Sequence, residues 1–583
     1  MSNLSAKLFQ LLRNPLLYFC LIIFSFGFWK TASDDGLKYV INSDSRGYYA
    51  YLPALLIHND ATFQKSHKAE YTYNESRLQQ VYLYKSEEGK IYNKYFPGVA
   101  VMQLPFFTLA TLTSFVIGDA ITGYSDVYSF FYLLGSYFYF LVGIYLLIRV
   151  ARKIYPNVSK INWFIPLIYL SSPLIYFSVF SMASHHYSFA LFGLFFWSLL
   201  KIQESKQLKH IFLLGLILGL VFLIRPTNIS IVLAIPFFLK DKTTALNLIS
   251  WLFKNKGKPF FTFLLGGLIS VFLLMLTWKW ESDKWFFWAY NGEGFNWTTP
   301  KIFEVLFSFR VGLFVHTPIL LLAVYSAFRY LKTQSFQLIF WWIYFAVNTY
   351  VISSWWCWDY ESPFGMRPFT EHWFVLIMPI FALLSKKQFL ITIALILTSC
   401  LGLLRMNQIV FGHYPDQRFT AKSYFKSLAF WKPYNHQRWS TPKSCIPFGE
   451  LKHTRLLYSI ENEEHVDAEY AFTSKIKLNV GRANSRLYCN VSSDKKIAES
   501  DWSDVLIVYD ATSNDKTKRY YLTREFCFDR LEGKNEWVHF DSGLMILDNL
   551  EEYDSLYVYI WNKGGKSFDV KNFKVSLEEY QQK

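Results

Sequence analysis

Residues 1–405 are written as one long apolar run after another, and that repetition limits the fold more than any other feature of the chain. Stretches of spanning character occupy residues 15–29, 127–148, 161–180, 187–200, 211–224, 229–239, 260–278, 313–328, 336–354, 373–384 and 389–404, with a further run at 99–117. Several fall short of the ~20 residues a straight span needs, so polar-looking flanks are expected to extend them. The chain holds 57 Phe, 40 Tyr and 20 Trp in 583 residues, more aromatic surface than a soluble core of that size can hide. A bilayer removes the difficulty, because lipid is itself the apolar solvent. Mean hydropathy is only +0.16, so the apolar residues must be unevenly spread, and residues after about 430 do read as soluble.

Charge sets the expected topology. Lys plus Arg outnumber Asp plus Glu by 59 to 44, but the basic residues sit mainly in short loops between apolar runs, which speaks for a membrane and against nucleic acid. If 99–117 spans, every later basic loop falls outside. If it lies along or dips into the outer face, Lys7/Arg13, 149–160, Lys201/Lys206/Lys209, 240–258, Arg329/Lys332 and Lys386/Lys387 all fall inside. The second choice gives about eleven spans, a cytoplasmic N-terminus and an outer C-terminal domain. The first run has a basic flank and no small-residue cleavage site, and so reads as a retained anchor.

The expected fold is therefore an all-α polytopic membrane domain over 1–430, followed by an all-β, jelly-roll-like sandwich over 431–583. The tail alternates as strands at 475–480, 504–509, 537–540, 556–561 and 573–577, with turn-like segments such as 513–516 between them. Cys445, Cys489 and Cys527 lie in this tail; two of them could pair in an oxidising compartment, but three is an odd number and their spacing matches no metal motif. No metal and no cofactor are expected.

Three outer loops, 30–98 with its continuation to 126, 279–312 and 355–372, are long, aromatic and mixed in charge, as loops that build a site are. The first carries Ser43-Asp44-Ser45-Arg46-Gly47 ahead of an aromatic helix at 48–57. Asp44 there either faces a lipid-borne substrate or caps the helix. Lys94, in Tyr92-Asn93-Lys94-Tyr95-Phe96-Pro97-Gly98, either meets a lipid phosphate or snorkels to the interface. His185 and His186 are adjacent at the outer end of a span; neighbours on a helix point about 100° apart, which favours hydrogen bonding to sugar or phosphate over chelation. Arg225, before Pro226, sits at the outer end of an apolar run, where an arginine is costly unless paired or wet; its role is a site or a structural ion pair. The loop from Trp355 to Arg367 packs aromatics with Asp359, Glu361 and Arg367; an interfacial belt accounts for the tryptophans but not for the Gly365-Met366-Arg367 ending.

In this order, the Asp after the first span, the Lys/Pro/Gly entry, Ser184-His185, Arg225-Pro226, Arg310-Val311-Gly312 and Phe364-Gly365-Met366-Arg367 resemble the GT-C superfamily of integral membrane glycosyltransferases. Bacterial relatives of the protein O-mannosyltransferases and of the lipid A aminoarabinose transferase are similar over roughly 10–405. The resemblance implies a catalytic aspartate at Asp44, a donor phosphate held by Lys94, Arg225 and Arg367, and substrate contacts from Arg46, His185, His186, Arg310, Asp359 and Glu361. It also implies a polyprenyl-phosphate sugar donor, an extracytoplasmic glycan, lipid or protein acceptor, inversion at the sugar, and residence in a bacterial inner membrane. The sequence departs from the pattern at His316, where an aromatic is expected, and places Asp34 and Asp35 in the same loop as Asp44.

Two other functions stand beside this one. A transporter or flippase for a lipid-linked glycan would want polar residues at mid-membrane and repeat-related halves, and neither is visible. A non-catalytic receptor would use the tail, around Tyr557-Val558-Tyr559-Ile560-Trp561-Asn562, to bind glycan.

Overall fold

The structure is a computed structural model. It describes residues 18–410, 421–428 and 451–581 apart from short internal stretches, the longest being 30–36, 74–81, 478–484, 498–504, 513–518, 526–536 and 547–554. Asp34, Asp35, Glu361, Cys445 and Cys527 lie outside the described residues. The chain divides into two compact units, one made of Met1–Tyr73, Lys85–Val410 and Gln417–Phe425, the other of Asn74–Tyr84, Phe411–Asp416 and Lys426–Lys583.

The first unit is helical. Its principal helices are α1 (Asp44–Leu56), α2 (Gly98–Ile117), α3 (Asp126–Ile154), α4 (His185–Ser205), α5 (Leu208–Ile224), α6 (Lys242–Ser282), α7 (Ser335–Ser354) and α8 (Gln388–Val410). Among the described residues five helical segments are long and apolar enough to cross a membrane: α2, α3, Lys256–Ser282 of α6, α7 and Gln388–Ile409 of α8. Their outward faces are hydrocarbon, with Phe115 and Val116 on α2, Phe261 and Leu265 on α6 and Leu397 on α8 all exposed, the surface that lipid rather than water accepts.

Several expected spans take forms that the apolar pattern alone does not specify. The run at 229–239 belongs to a 3-10 helix, Pro226–Phe238. At ~2.0 Å per residue its 13 residues reach roughly 26 Å, so a stretch too short as α-helix has nearly spanning length. The run at 161–180 breaks into Ile161–Leu170 and Leu174–Val179 around Pro173, and the run at 313–328 into Leu313–His316 and Leu320–Arg329 around Pro318. The basic loop expected at 240–258 is a correction: residues from Lys242 onward are already helical, capped by Asp241 on the Thr244 amide. Lysine is a good helix former. Lys256 and Gly257, both at positive φ, separate this basic segment from the apolar one that follows.

Helix α2 bears on the ambiguous run. Gly98 lies so close to α5 that a Cβ there would stand 2.5 Å from the backbone at Leu223 and Ile224. Further along, the Met102 carbonyl accepts the Tyr139 hydroxyl at 2.7 Å, the Gln103 amide reaches the Tyr132 carbonyl at 2.9 Å, and Phe107 packs on Tyr128. These contacts fall on the first half of α3. One end of α2 thus meets the C-terminal end of α5, and the other leads through a short turn to the start of α3.

The second unit holds two antiparallel sheets. With β1 (Leu451–Ile460), β2 (Glu464–Val466), β3 (Tyr470–Lys477), β4 (Ser485–Ile497), β5 (Val505–Thr512), β6 (Arg519–Glu525), β7 (Trp537–Ile546), β8 (Ser555–Asn562) and β9 (Phe568–Gln581), one sheet runs β3-β8-β5-β6 and the other β1-β9-β4-β7, with β2 also on β9. Val505, Ile507, Val558 and Ile560 of the first sheet share a buried core with Cys489, Val491, Val570 and Phe573 of the second. That is the packing of a sandwich. Each of the five expected strands overlaps an observed one, with 478–480 and 504 lying outside the described residues; β1, β2, β4 and β6 are additional.

Candidate active site

The chain turns into α1 where the Ser45 amide donates to the Asn42 carbonyl at 3.0 Å. Asp44 is the first residue of this helix, but its carboxylate does not serve as a cap. Oδ1 accepts the Tyr95 hydroxyl at 2.7 Å, and Oδ2 faces Nη1 of Arg367 at 3.2 Å. Both partners come from distant segments, and both are fixed in turn. Asn93 takes the Tyr95 amide on its side-chain oxygen at 3.0 Å and donates its amide group to the Gly47 carbonyl at 2.7 Å. The Tyr51 hydroxyl donates to the Tyr95 carbonyl at 2.6 Å. These bonds clamp the 93–95 segment along α1 and bring Lys94 into electrostatic reach of Asp44, its ammonium 5.3 Å from the Tyr95 ring centre.

Arg367 opens a short 3-10 turn, Arg367–Phe369, whose first carbonyl accepts the Thr370 hydroxyl at 2.6 Å. The turn is reached through Gly365 at φ +59°, where a Cβ would stand 2.7 Å from the Pro173 ring. A glycine is needed there on both counts.

Four residues after Arg367 the same segment supplies Glu371, which the sequence reading passed over. Its side chain is fully buried. Oε2 meets Nδ1 of His185 at 2.6 Å; Oε1 takes Arg225 at 3.2 Å and the Asn228 amide at 3.0 Å. In sequence Glu371 is a polar flank of an apolar run. The one signal that could have found it is the cost of an ionisable residue at such a place.

The two halves of the constellation meet around Tyr48, which lies in the electrostatic reach of Arg225, Asp44 and Arg367. Five of the expected residues, Asp44, Lys94, His185, Arg225 and Arg367, are therefore brought to one place from five separate stretches of sequence. Burial pushes the Asp44 carboxyl up, but Arg367, the Tyr95 hydroxyl, Lys94 and His185 outweigh it and hold it below its ordinary value. Asp44, Arg225 and Arg367 each keep about a fifth of their side chain exposed, 22%, 22% and 20%, so the charges are held but not sealed. A partly open carboxylate can accept a proton, and the cations that flank it can bind an anion.

The remaining candidates make other contacts. Arg46, expected among the substrate contacts, is buried at 4% exposure in a two-pronged pair with Glu70, 2.5 Å and 3.1 Å. An arginine so buried braces α1 against the helix Gln64–Tyr73. Arg310 and Asp359 form a pair of their own, with the guanidinium 5.9 Å from the Trp358 ring centre. His186 is buried against the Tyr187 ring, and neither of its ring nitrogens has a hydrogen-bond partner among the described residues. Among the described residues no group of three or more His, Cys, Asp or Glu is placed to hold a metal ion.

No protein-family model matches the chain, and no curated protein matches it. A similar solved structure is the arabinosyltransferase EmbB from Mycobacterium smegmatis, seen by single-particle cryo-EM. The TM-score is 0.35 at 11% identity, over 95% of this chain and 64% of that one. The chain thus spans less than two thirds of that protein's length.

Proposed function

We propose that this chain is a membrane glycosyltransferase that moves a sugar from a polyprenyl-phosphate carrier to an extracytoplasmic acceptor. The observation that carries the reading is the Asp44 carboxylate. It is held by Tyr95 and Arg367 within reach of Lys94 and His185, with Arg225 beside His185 on Glu371, on a unit whose outer surface suits lipid.

The chemistry follows from those residues. The acceptor hydroxyl attacks the anomeric carbon from the face opposite the phosphate. Asp44 takes the hydroxyl proton as the new C–O bond forms. The bond from the anomeric carbon to the phosphate oxygen breaks, and its electron pair leaves on the lipid phosphate, so the sugar inverts. That leaving group is already a stable anion and needs no strong general acid. Arg225, Arg367 and Lys94 stabilise the charge it gains. An incoming phosphate competes with Asp44 for Arg367, and as the guanidinium moves over, Asp44 becomes the stronger base.

The placement of α2 supports a site on the outer side. In the topology that puts the basic loops inside, the end of α5 and the start of α3 both lie outside, and α2 reaches from one to the other. The sandwich suits a role in holding glycan. On β8, Tyr557, Tyr559 and Trp561 alternate with buried residues, and across the strand pair Tyr470 is 54% exposed with its ring within 4° of parallel to Trp561. Aromatic faces of this kind take sugar rings.

The test is transfer itself. Purified protein is incubated with labelled polyprenyl-phosphate sugars and with glycan and lipid fractions as acceptors, and free polyprenyl phosphate and labelled product are followed together. Stoichiometric appearance of both is expected. Carrier movement across vesicles without cleavage would instead identify a flippase, and binding without either would identify a receptor.

A further inference from the structure

Glu371 belongs to no role derived so far, yet it touches three of the elements that build the site. His185 opens α4, Arg225 follows the end of α5, and Asn228 begins the 3-10 helix Pro226–Phe238. Each sends a side chain to this one carboxylate. Glu371 has no exposed surface, so it cannot itself meet a substrate. What it can do is fix the groups that do.

We propose that Glu371 is the positioning residue of the donor site: it orients the Arg225 guanidinium and fixes His185 with its proton on Nδ1, leaving Nε2 as a hydrogen-bond acceptor for a hydroxyl of the sugar or of the acceptor. The inference rests on the glycosyltransferase reading. The geometry accounts for both halves of it. An arginine bound through Nη1 keeps its remaining N–H groups for phosphate oxygens. An imidazole that donates from Nδ1 to a carboxylate presents a lone pair on Nε2, and such a carboxylate commonly sets both tautomer and ring angle. Both ring contacts of His185 among the described residues fall on Nδ1, Glu371 Oε2 at 2.6 Å and Arg225 Nη1 at 3.3 Å; with the proton on Nδ1 given to Glu371 the longer contact is not a hydrogen bond, and Nε2 makes none. Burial keeps His185 below its ordinary value despite Glu371, while Glu371, for all its own burial, is held well below the usual carboxylate range by His185 and Arg225. The pair is therefore a neutral imidazole on an ionised carboxylate. A neutral Nε2 repels phosphate oxygens and welcomes a hydroxyl, so His185 belongs to the sugar side of the site and Arg225 to the phosphate side.

Glu371→Gln separates positioning from mere structure. The amide still accepts from Asn228 but no longer neutralises Arg225 or anchors the imidazole as an anion does. Binding of polyprenyl phosphate alone and steady-state transfer are measured on full-length wild type, Glu371→Gln and Glu371→Asp, with melting in detergent alongside. Expected in Glu371→Gln is a kcat reduced at least about tenfold, the scale of a misplaced catalytic group. Polyprenyl phosphate should bind as tightly as to wild type or more so, because Arg225 has lost its counter-ion. Glu371→Asp, which keeps the charge, should recover part of kcat; if the Gln variant does not fold, Asp alone decides, with kcat lowered and binding kept. A wild-type kcat in the variant that folds overturns the proposal, as does loss of phosphate binding in step with kcat. A wild type that binds no polyprenyl phosphate overturns the glycosyltransferase reading, and this proposal with it.

Discussion

Asp44 is ionised at neutral pH because Arg367 and Tyr95 hold it so against the pull of burial. A base must be deprotonated to work, so the acidic limb of kcat/KM due to Asp44, which reports the free enzyme, lies below the ordinary value of ~3.9. Arg367→Ala removes the largest stabilising charge and leaves burial unopposed by it. The acidic limb of the residual activity is therefore expected to move up in pH; an unmoved limb would mean the titrating base is another group. Glu70 makes a separate claim. Burial raises its carboxyl, Arg46 more than reverses this, and the value falls from 4.5 to about 2. A depressed carboxylate stabilises the fold above its unfolded value, and that contribution fades as pH drops from 4.5 towards 2. Glu70→Gln removes a buried partner charge from Arg46, a change of the kind that costs about 3–5 kcal/mol. A marked fall in melting temperature at pH 7 is expected, and melting that matches wild type would contradict the pair's structural role.

At the scale of elements, Gly98 decides how closely α2 approaches α5. Gly98→Ala places a methyl group 2.5 Å from the Ile224 amide nitrogen, and backbone cannot yield as a flexible side chain can. The entry of α2 must shift, and Lys94 and Tyr95 shift with it. Loss of stability and of transfer together is expected. Gly267→Ala on α6 is the control, since its Cβ meets nothing nearer than 3.5 Å; equal damage from both would remove the close approach as the cause. Elements were legible where period and chemistry agreed. The alternation in β8 and β9 marked strands, whereas β4, Ser485–Ile497, hides its buried positions behind Ser493 and Lys495 as well as Cys489 and Val491. The motifs around Asp44, Lys94, Arg225 and Arg367 were legible because charge beside long apolar runs is costly. What joins them was not. Glu371 faces His185 across 186 residues of sequence, and no local pattern encodes that contact.

For the molecule as a whole, we propose the orientation in which the basic loops lie inside. Reporter fusions after Lys153, Lys206 and Lys386 are expected to report cytoplasm; an outside signal at Lys153 would mean that α2 crosses the bilayer and that the topology inverts. The most direct measurement of the central claim is the rate of sugar transfer by Asp44→Asn, taken with its melting temperature. Asparagine nearly matches aspartate in shape and can still accept the Tyr95 hydroxyl, but it cannot take a proton. Transfer lowered by about 10²-fold or more in a protein that still inserts and folds is the expected result. A normal rate in that variant would place the base elsewhere and contradict the assignment of Asp44.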